Sequence, residues 1–158
     1  MPALPSFVDL LAPERISARA EVHTKSDVLR FVAGTLATHP AVRDRARLVA
    51  DLEAREARLS TGVGGGVALP HARTRAVTGT AAALATLARP VDWDAIDGQP
   101  VDVVVMVAGQ ESERAAHVRL LAQVSRVLSA PSVRSALAEA RTPDALLDAL
   151  QRAETGRA

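Results

Sequence analysis

The stretch that most restricts this chain runs from Ser60 to Arg75. Four glycines (Gly62, Gly64, Gly65 and Gly66) lead into Val67-Ala68-Leu69, and that short apolar segment ends in Pro70-His71. Glycine tolerates backbone angles and close approaches that a Cβ forbids, so the run reads as a turn or bulge beside something that needs room. Pro70 biases Leu69 toward an extended conformation and fixes its own φ. The imidazole of His71 is therefore expected at a stiff strand end rather than on a mobile loop. Arg73 and Arg75 follow closely, which suits a histidine that handles an anion.

Taken alone, a glycine cluster is a turn and a single histidine is a packed or surface residue. The run matches neither G-x-x-x-x-G-K-[ST] nor a spaced G-x-G-x-x-G opening a helix. Composition narrows the remaining choices. At 158 residues the chain is long enough for one domain with a real core, and apolar residues make up 48% of it. Aromatics contribute only 2%, so that core has to be built from Ala, Val, Leu and Ile. Net charge is +1, with 18 of the 19 basic residues arginine and acidic residues interspersed. No basic block is interleaved with aromatics, which argues against a nucleic-acid partner. The absence of cysteine excludes disulfides and a thiolate nucleophile. No apolar run approaches a membrane span and no signal-peptide pattern opens the chain, so the expectation is a soluble, cytoplasmic domain.

Alternation of apolar and polar residues from Glu14 to Val22 predicts a half-buried strand. Thr24 or Ser26 caps a helix to about Thr38, closed by His39-Pro40, and a second helix covers roughly Ala41 to Leu59 with Val42, Ala46, Val49 and Leu52 or Glu53 on one face. Thr80 to Ala88 reads as a buried strand, Val91 to Pro100 as a loop holding Trp93, and Val101 to Ala108 as a central strand ended by Gly109. Glu113 to Leu128 is an amphipathic helix whose stripe carries His117, Leu121, Val124 and Leu128. Further helices start near Pro131 and at Thr142-Pro143-Asp144. Strands alternating with helices give an α/β fold, a small mixed β-sheet flanked by helices. The expected unit is one domain over residues 1–158, with a core of about 14–151 and peripheral segments at 1–13 and 152–158.

Of the four histidines, His23 and His39 lie at element boundaries and read as structural or exposed. His117 falls on an apolar helical stripe, where a core histidine bonded to a carbonyl is the ordinary reading. Beside His71 it has a second one: an imidazole that fixes the first ring's tautomer or contacts an anion attached to it. A metal site finds no H-x-x-x-H, no H-E-x-x-H and no third ligand. A serine triad finds no G-x-S-x-G elbow. Neither a metal nor a cofactor is expected.

Asp51-Leu-Glu-Ala-Arg55-Glu56 followed by Gly62-Val-Gly-Gly-Gly-Val-Ala-Leu-Pro70-His71 resembles the signature of the type-2 IIA domains of the phosphoenolpyruvate-dependent sugar phosphotransferase system, in the fructose/mannitol and nitrogen-regulatory branch. Asp92 to Pro100 leading into the Val101 strand, and His117-Val-Arg-Leu-Leu, resemble two further family segments. The likeness extends from about Ile16 to Leu150. It implies that His71 is the phosphorylated histidine, accepting the group from phospho-HPr and passing it to a IIB component for sugar uptake. It implies also that His117 supports the first ring without being phosphorylated, and that Arg55 neutralises phosphoryl charge. The alternative output is a nitrogen-regulatory protein that controls target proteins by its phosphorylation state. Ala72, where many relatives carry Gly, and the Gln110 to Ala116 loop depart from the pattern and bear on partner choice. With no cysteine for onward transfer and no IIB or membrane segment in the sequence, the chain is expected to act as a separate subunit.

Overall fold

A computed structural model describes residues 6–155. The outermost parts of the expected peripheral segments, residues 1–5 and 156–158, lie outside the described residues. One mixed sheet of six strands carries the fold: β1 (Ile16–Ala20), β2 (Gly62–Gly64), β3 (Val67–Ala68), β4 (His71–Thr74), β5 (Ala81–Val91) and β6 (Val101–Gln110). Five helices flank it: α1 (Lys25–Leu36), α2 (Arg45–Arg58), α3 (Arg114–Leu128), α4 (Pro131–Glu139) and α5 (Pro143–Thr155). The strand order is β1-β5-β6-β3-β2, with β4 also paired to β6. The α/β architecture read from the sequence is the one observed.

The central pair explains why so few aromatics suffice. Along β5, Ala81, Ala83 and Ala85 face a cluster with Val28, Val32, Leu36, Leu48, Leu52 and Trp93, under α1 and α2. Ala82 and Leu84 face the opposite cluster, with Leu120, Val124, Leu128, Leu137, Leu146 and Leu150 from α3, α4 and α5. Both faces of the sheet are covered, and the near-continuous apolar runs of β5 and β6 follow from that. Small alanines on β5 let the two helical layers approach closely without aromatic filling.

Several boundaries differ from expectation for identifiable reasons. Within the segment expected to be peripheral, the apolar patches pack against the body as their composition suggests: Phe7 is 0% exposed and, with Val8 and Leu11, completes the α5-side cluster. At the other end α5 continues to Thr155, into the segment expected to be peripheral from 152. The buried face of α2 is Leu48, Leu52 and Glu56; of the expected stripe Leu52 is buried and Val49 partly so, Ala46 is exposed, and Val42 precedes the helix and bridges Val77. Gly109 does not end its strand, since β6 runs on to Gln110 and pairs Gly109 with Arg73 of β4.

The strands beside β6 position His71. β3 and β4 run end to end and parallel to β6, with Val67 and Ala68 opposite Val103 and Val104, and His71 opposite Val107. Pro70 joins them. It has no N–H to give the ladder, but its carbonyl accepts from Val107 N at 3.0 Å, so the edge stays attached through the proline. The turn before it needs glycine: Gly64, Gly65 and Gly66 have φ of +98°, +66° and +83°, the left-handed region that side chains with a Cβ rarely adopt.

Candidate active site

His71 is the first residue of β4 and is half-buried. Its Nδ1 lies 2.8 Å from the carbonyl oxygen of Leu69. A carbonyl only accepts, so Nδ1 carries the proton and Nε2 is left with its lone pair. The ring is thus fixed in one tautomer by the backbone two residues upstream, through the extended geometry that Pro70 imposes. Burial lowers the His71 pKa; the Leu69 hydrogen bond and Glu56 oppose this, and the Arg55 charge adds to it. The ring is therefore neutral at pH 7.

His117 arrives from the first turn of α3. Its ring centroid is 5.7 Å from that of His71, with the two planes inclined by 49°. It is 7% exposed, and neither ring nitrogen has a hydrogen-bond partner among the described residues. Burial first, then the nearby His71 and Arg73, lowers its pKa to about 4. His117 is neutral at pH 7, with one N–H to donate. The ordinary reading, a core histidine bonded to a carbonyl, does not hold. Space for this ring comes from Gly109, where a Cβ would stand 2.7 Å from His117 Nδ1.

Arg55 lies in the last turn of α2, half-buried, and its Nη1 donates to the Leu59 carbonyl at 2.8 Å. That bond caps the helix and holds the guanidinium while its other donors stay available. Arg55, His71 and His117 line one cleft of about 420 Å³, together with Arg47, Arg58, Arg73, Arg75 and Arg114. The three residues singled out from the sequence are brought together. Arg75 is engaged with Glu111 at 2.7 Å, and Arg73 donates to the Glu111 carbonyl at 2.9 Å. His23, exposed beside Glu21, and His39, which accepts from Ala41 N, stand outside the site.

A polar network beneath the cleft was not anticipated. Glu56, 6% exposed, accepts from Thr61 N at 2.8 Å and from the Thr61 hydroxyl, and pairs with Lys25 Nζ at 3.0 Å. Lys25 also donates to the Trp93 carbonyl at 3.2 Å, and Trp93 Nε1 donates to Thr61 Oγ1 at 3.3 Å. This network ties α2 to the start of the glycine turn. In sequence the only signal is a lone lysine and a glutamate at a helical core position. Among the described residues no three His, Cys, Asp or Glu side chains are grouped as a metal ion would require.

Residues 9–153 match the family model described as the phosphoenolpyruvate-dependent sugar phosphotransferase system, EIIA 2. The chain belongs to this family. Among EIIA 2 relatives, the Pseudomonas aeruginosa nitrogen regulatory protein is 32% identical over 148 residues, covering 94% of this chain and 96% of that protein. The fructose-specific EIIABC component of Bacillus subtilis is also 32% identical, over 142 residues, but there this chain spans 90% of its own length and only 22% of the relative. The crystal structure of IIA-Ntr from Neisseria meningitidis superposes with a TM-score of 0.84 at 27% identity, covering 91% of this chain and 98% of that one. Sugar-transport and nitrogen-regulatory members therefore both stand among the relatives of this EIIA 2 chain. Among its described residues no helix is long and apolar enough to cross a membrane.

Proposed function

We propose that the protein is a phosphocarrier whose His71 Nε2 accepts a phosphoryl group from an HPr-type protein and hands it on. The observation that carries this reading is the His71 ring itself. Its Nδ1–H is committed to Leu69 O, its Nε2 is free, and it faces an unpartnered neutral imidazole in an arginine-lined cleft. Phosphoryl transfer asks the protein for positioning and charge stabilisation rather than elaborate covalent chemistry.

In the accepting step the His71 Nε2 lone pair forms a bond to phosphorus while the donor's N–P bond breaks. The electron pair of the broken bond stays on the donor ring, which enters as a phosphoimidazolium and leaves as a neutral imidazole. His71 keeps its Nδ1–H and takes over the positive charge, which the Leu69 carbonyl stabilises. No proton has to cross between the partners. Arg55 meets part of the roughly two negative charges of the phosphoryl group, and His117 donates its N–H to a phosphoryl oxygen. Onward transfer repeats the step in reverse toward a IIB component, in the cytoplasm.

Sugar uptake of the fructose/mannitol type is the favoured output. The fructose-specific EIIABC relative, 32% identical over 142 residues, supports this output. The nitrogen-regulatory output is supported by a relative of nearly equal length throughout, with the same degree of identity. Incubation with phosphoenolpyruvate, enzyme I and HPr is expected to label a single histidine, and His71→Ala to abolish the label. Persistence of the label in that variant would refute the assignment. Candidate IIB proteins added as acceptors then distinguish transport from regulation.

A further inference from the structure

The charge of the cleft exceeds what its chemistry needs. Six of the chain's 19 basic residues line it, Arg47, Arg55, Arg58, Arg73, Arg75 and Arg114, against only Asp51 and Glu111 of the 18 acidic ones. The rest of the chain, with 13 basic and 16 acidic residues, is acidic on balance. A phosphoryl group on His71 brings roughly two negative charges, so a surplus of positive charge persists even in the phosphorylated state.

These arginines come from α2, β4, the turn after β4 and α3, so no single helix accounts for the cluster. Arg47 pairs with Asp51 and Arg75 with Glu111. Among the described residues Arg55, Arg58, Arg73 and Arg114 form no ion pair with a carboxylate. Helix stability explains some of them, because Arg55 and Arg58 sit in the last turn of α2, where a cation is favoured. It does not explain Arg114, the first residue of α3, where the helix dipole disfavours a cation and the first turn holds no acid. Beside these charges Leu59 is 70% and Val118 56% exposed. Arginine beside exposed apolar side chains is the make-up of a protein-binding face. Phe and Trp are absent from the cleft lining, so it lacks the stacking platform of a single-stranded nucleic-acid site.

We infer that the protein delivering phosphoryl groups to His71 docks through an acidic face, which Arg58, Arg73 and Arg114 engage around the apolar contact of Leu59 and Val118. The inference rests on the phosphocarrier reading of His71. Charge attraction of this kind acts mainly on the association rate and is screened by salt.

The test separates docking from chemistry. Potassium phosphoramidate, a small phosphoryl donor, is expected to label His71 in wild type and in the Arg58→Glu/Arg114→Glu variant, with a loss in the variant several-fold smaller than the loss of transfer from the protein donor; both positions are exposed, and circular dichroism checks the variant's fold. Transfer from the organism's own phosphorylated HPr-type protein is expected to slow at least tenfold in the variant. In wild type it should fall steadily as NaCl rises from about 0.05 to 0.5 M. Transfer indifferent to both salt and charge reversal overturns the inference and leaves His71 chemistry standing, and so does faster transfer in the variant. Tight binding of a labelled single-stranded oligonucleotide, lost on charge reversal, would make nucleic acid the occupant and also overturn it. Failure of phosphoramidate to label His71 in wild type removes the phosphocarrier reading and the docking inference together.

Discussion

An imidazole attacks phosphorus only through an unprotonated nitrogen, and in His71 one backbone carbonyl decides which nitrogen that is. The sequence made His71 legible because glycine turn, proline and histidine are contiguous, and the local chain alone dictates the geometry. Gly109 was not legible. Its role depends on His117, eight positions later and on another element, and a strand glycine read alone is just an end signal. Because a Cβ there would stand 2.7 Å from His117 Nδ1, Gly109→Ala is expected to displace that ring. The strand itself tolerates alanine, as the run in β5 shows. The variant should stay folded with a cost of about 1–3 kcal/mol from overpacking, and transfer should slow by about tenfold or more. Stopped transfer assays together with the His117 ring resonances decide this. Unmoved resonances and a normal rate would make Gly109 incidental.

Helix α2 shows why a correct element can be read with the wrong face. Its buried positions, Leu48, Leu52 and Glu56, are spaced by four, but the glutamate breaks the apolar pattern, so the sequence favours a stripe rotated toward Val49. What makes Glu56 a core residue is Lys25, on α1 and 31 positions upstream, with Thr61 beyond the helix end. Tertiary partners of that kind leave no trace in local periodicity. Removing one member of a buried pair leaves the other charge uncompensated. Lys25 keeps a quarter of its side chain in solvent, which moderates the loss. Lys25→Met is therefore expected to destabilise by about 2–4 kcal/mol, seen as a lower urea midpoint. Lys25→Met combined with Glu56→Gln should recover part of that loss. A double variant no better than the sum of the singles would deny the coupling.

At the scale of the molecule, the covered sheet was readable from the apolar runs of β5 and β6 and the strand–helix alternation. The apolar patch at Phe7-Val8 marked a packing segment, but its full burial and the extension of α5 to Thr155 were not readable, because they depend on elements from both ends of the chain meeting under one sheet face. That same packing holds His117 away from water, and the whole fold carries the cost. The unfolded chain protonates a histidine near pH 6.5, whereas His117 in the fold resists until about pH 4. Between those values the unfolded state binds the extra proton, so stability rises with pH across the window. The contribution is complete above about pH 6.5 and lost as pH falls to about 4; His71, also lowered, acts in the same direction. A shift of this size is worth roughly 3 kcal/mol for His117 when fully expressed. In His117→Gln that component is missing, so the variant should gain on wild type as the pH drops from 7 to 4.5. Urea unfolding of both proteins at the two pH values measures it. A difference in unfolding free energy that stays constant between them would mean that His117 titrates alike in the folded and unfolded chains, and that its burial is not what keeps it neutral.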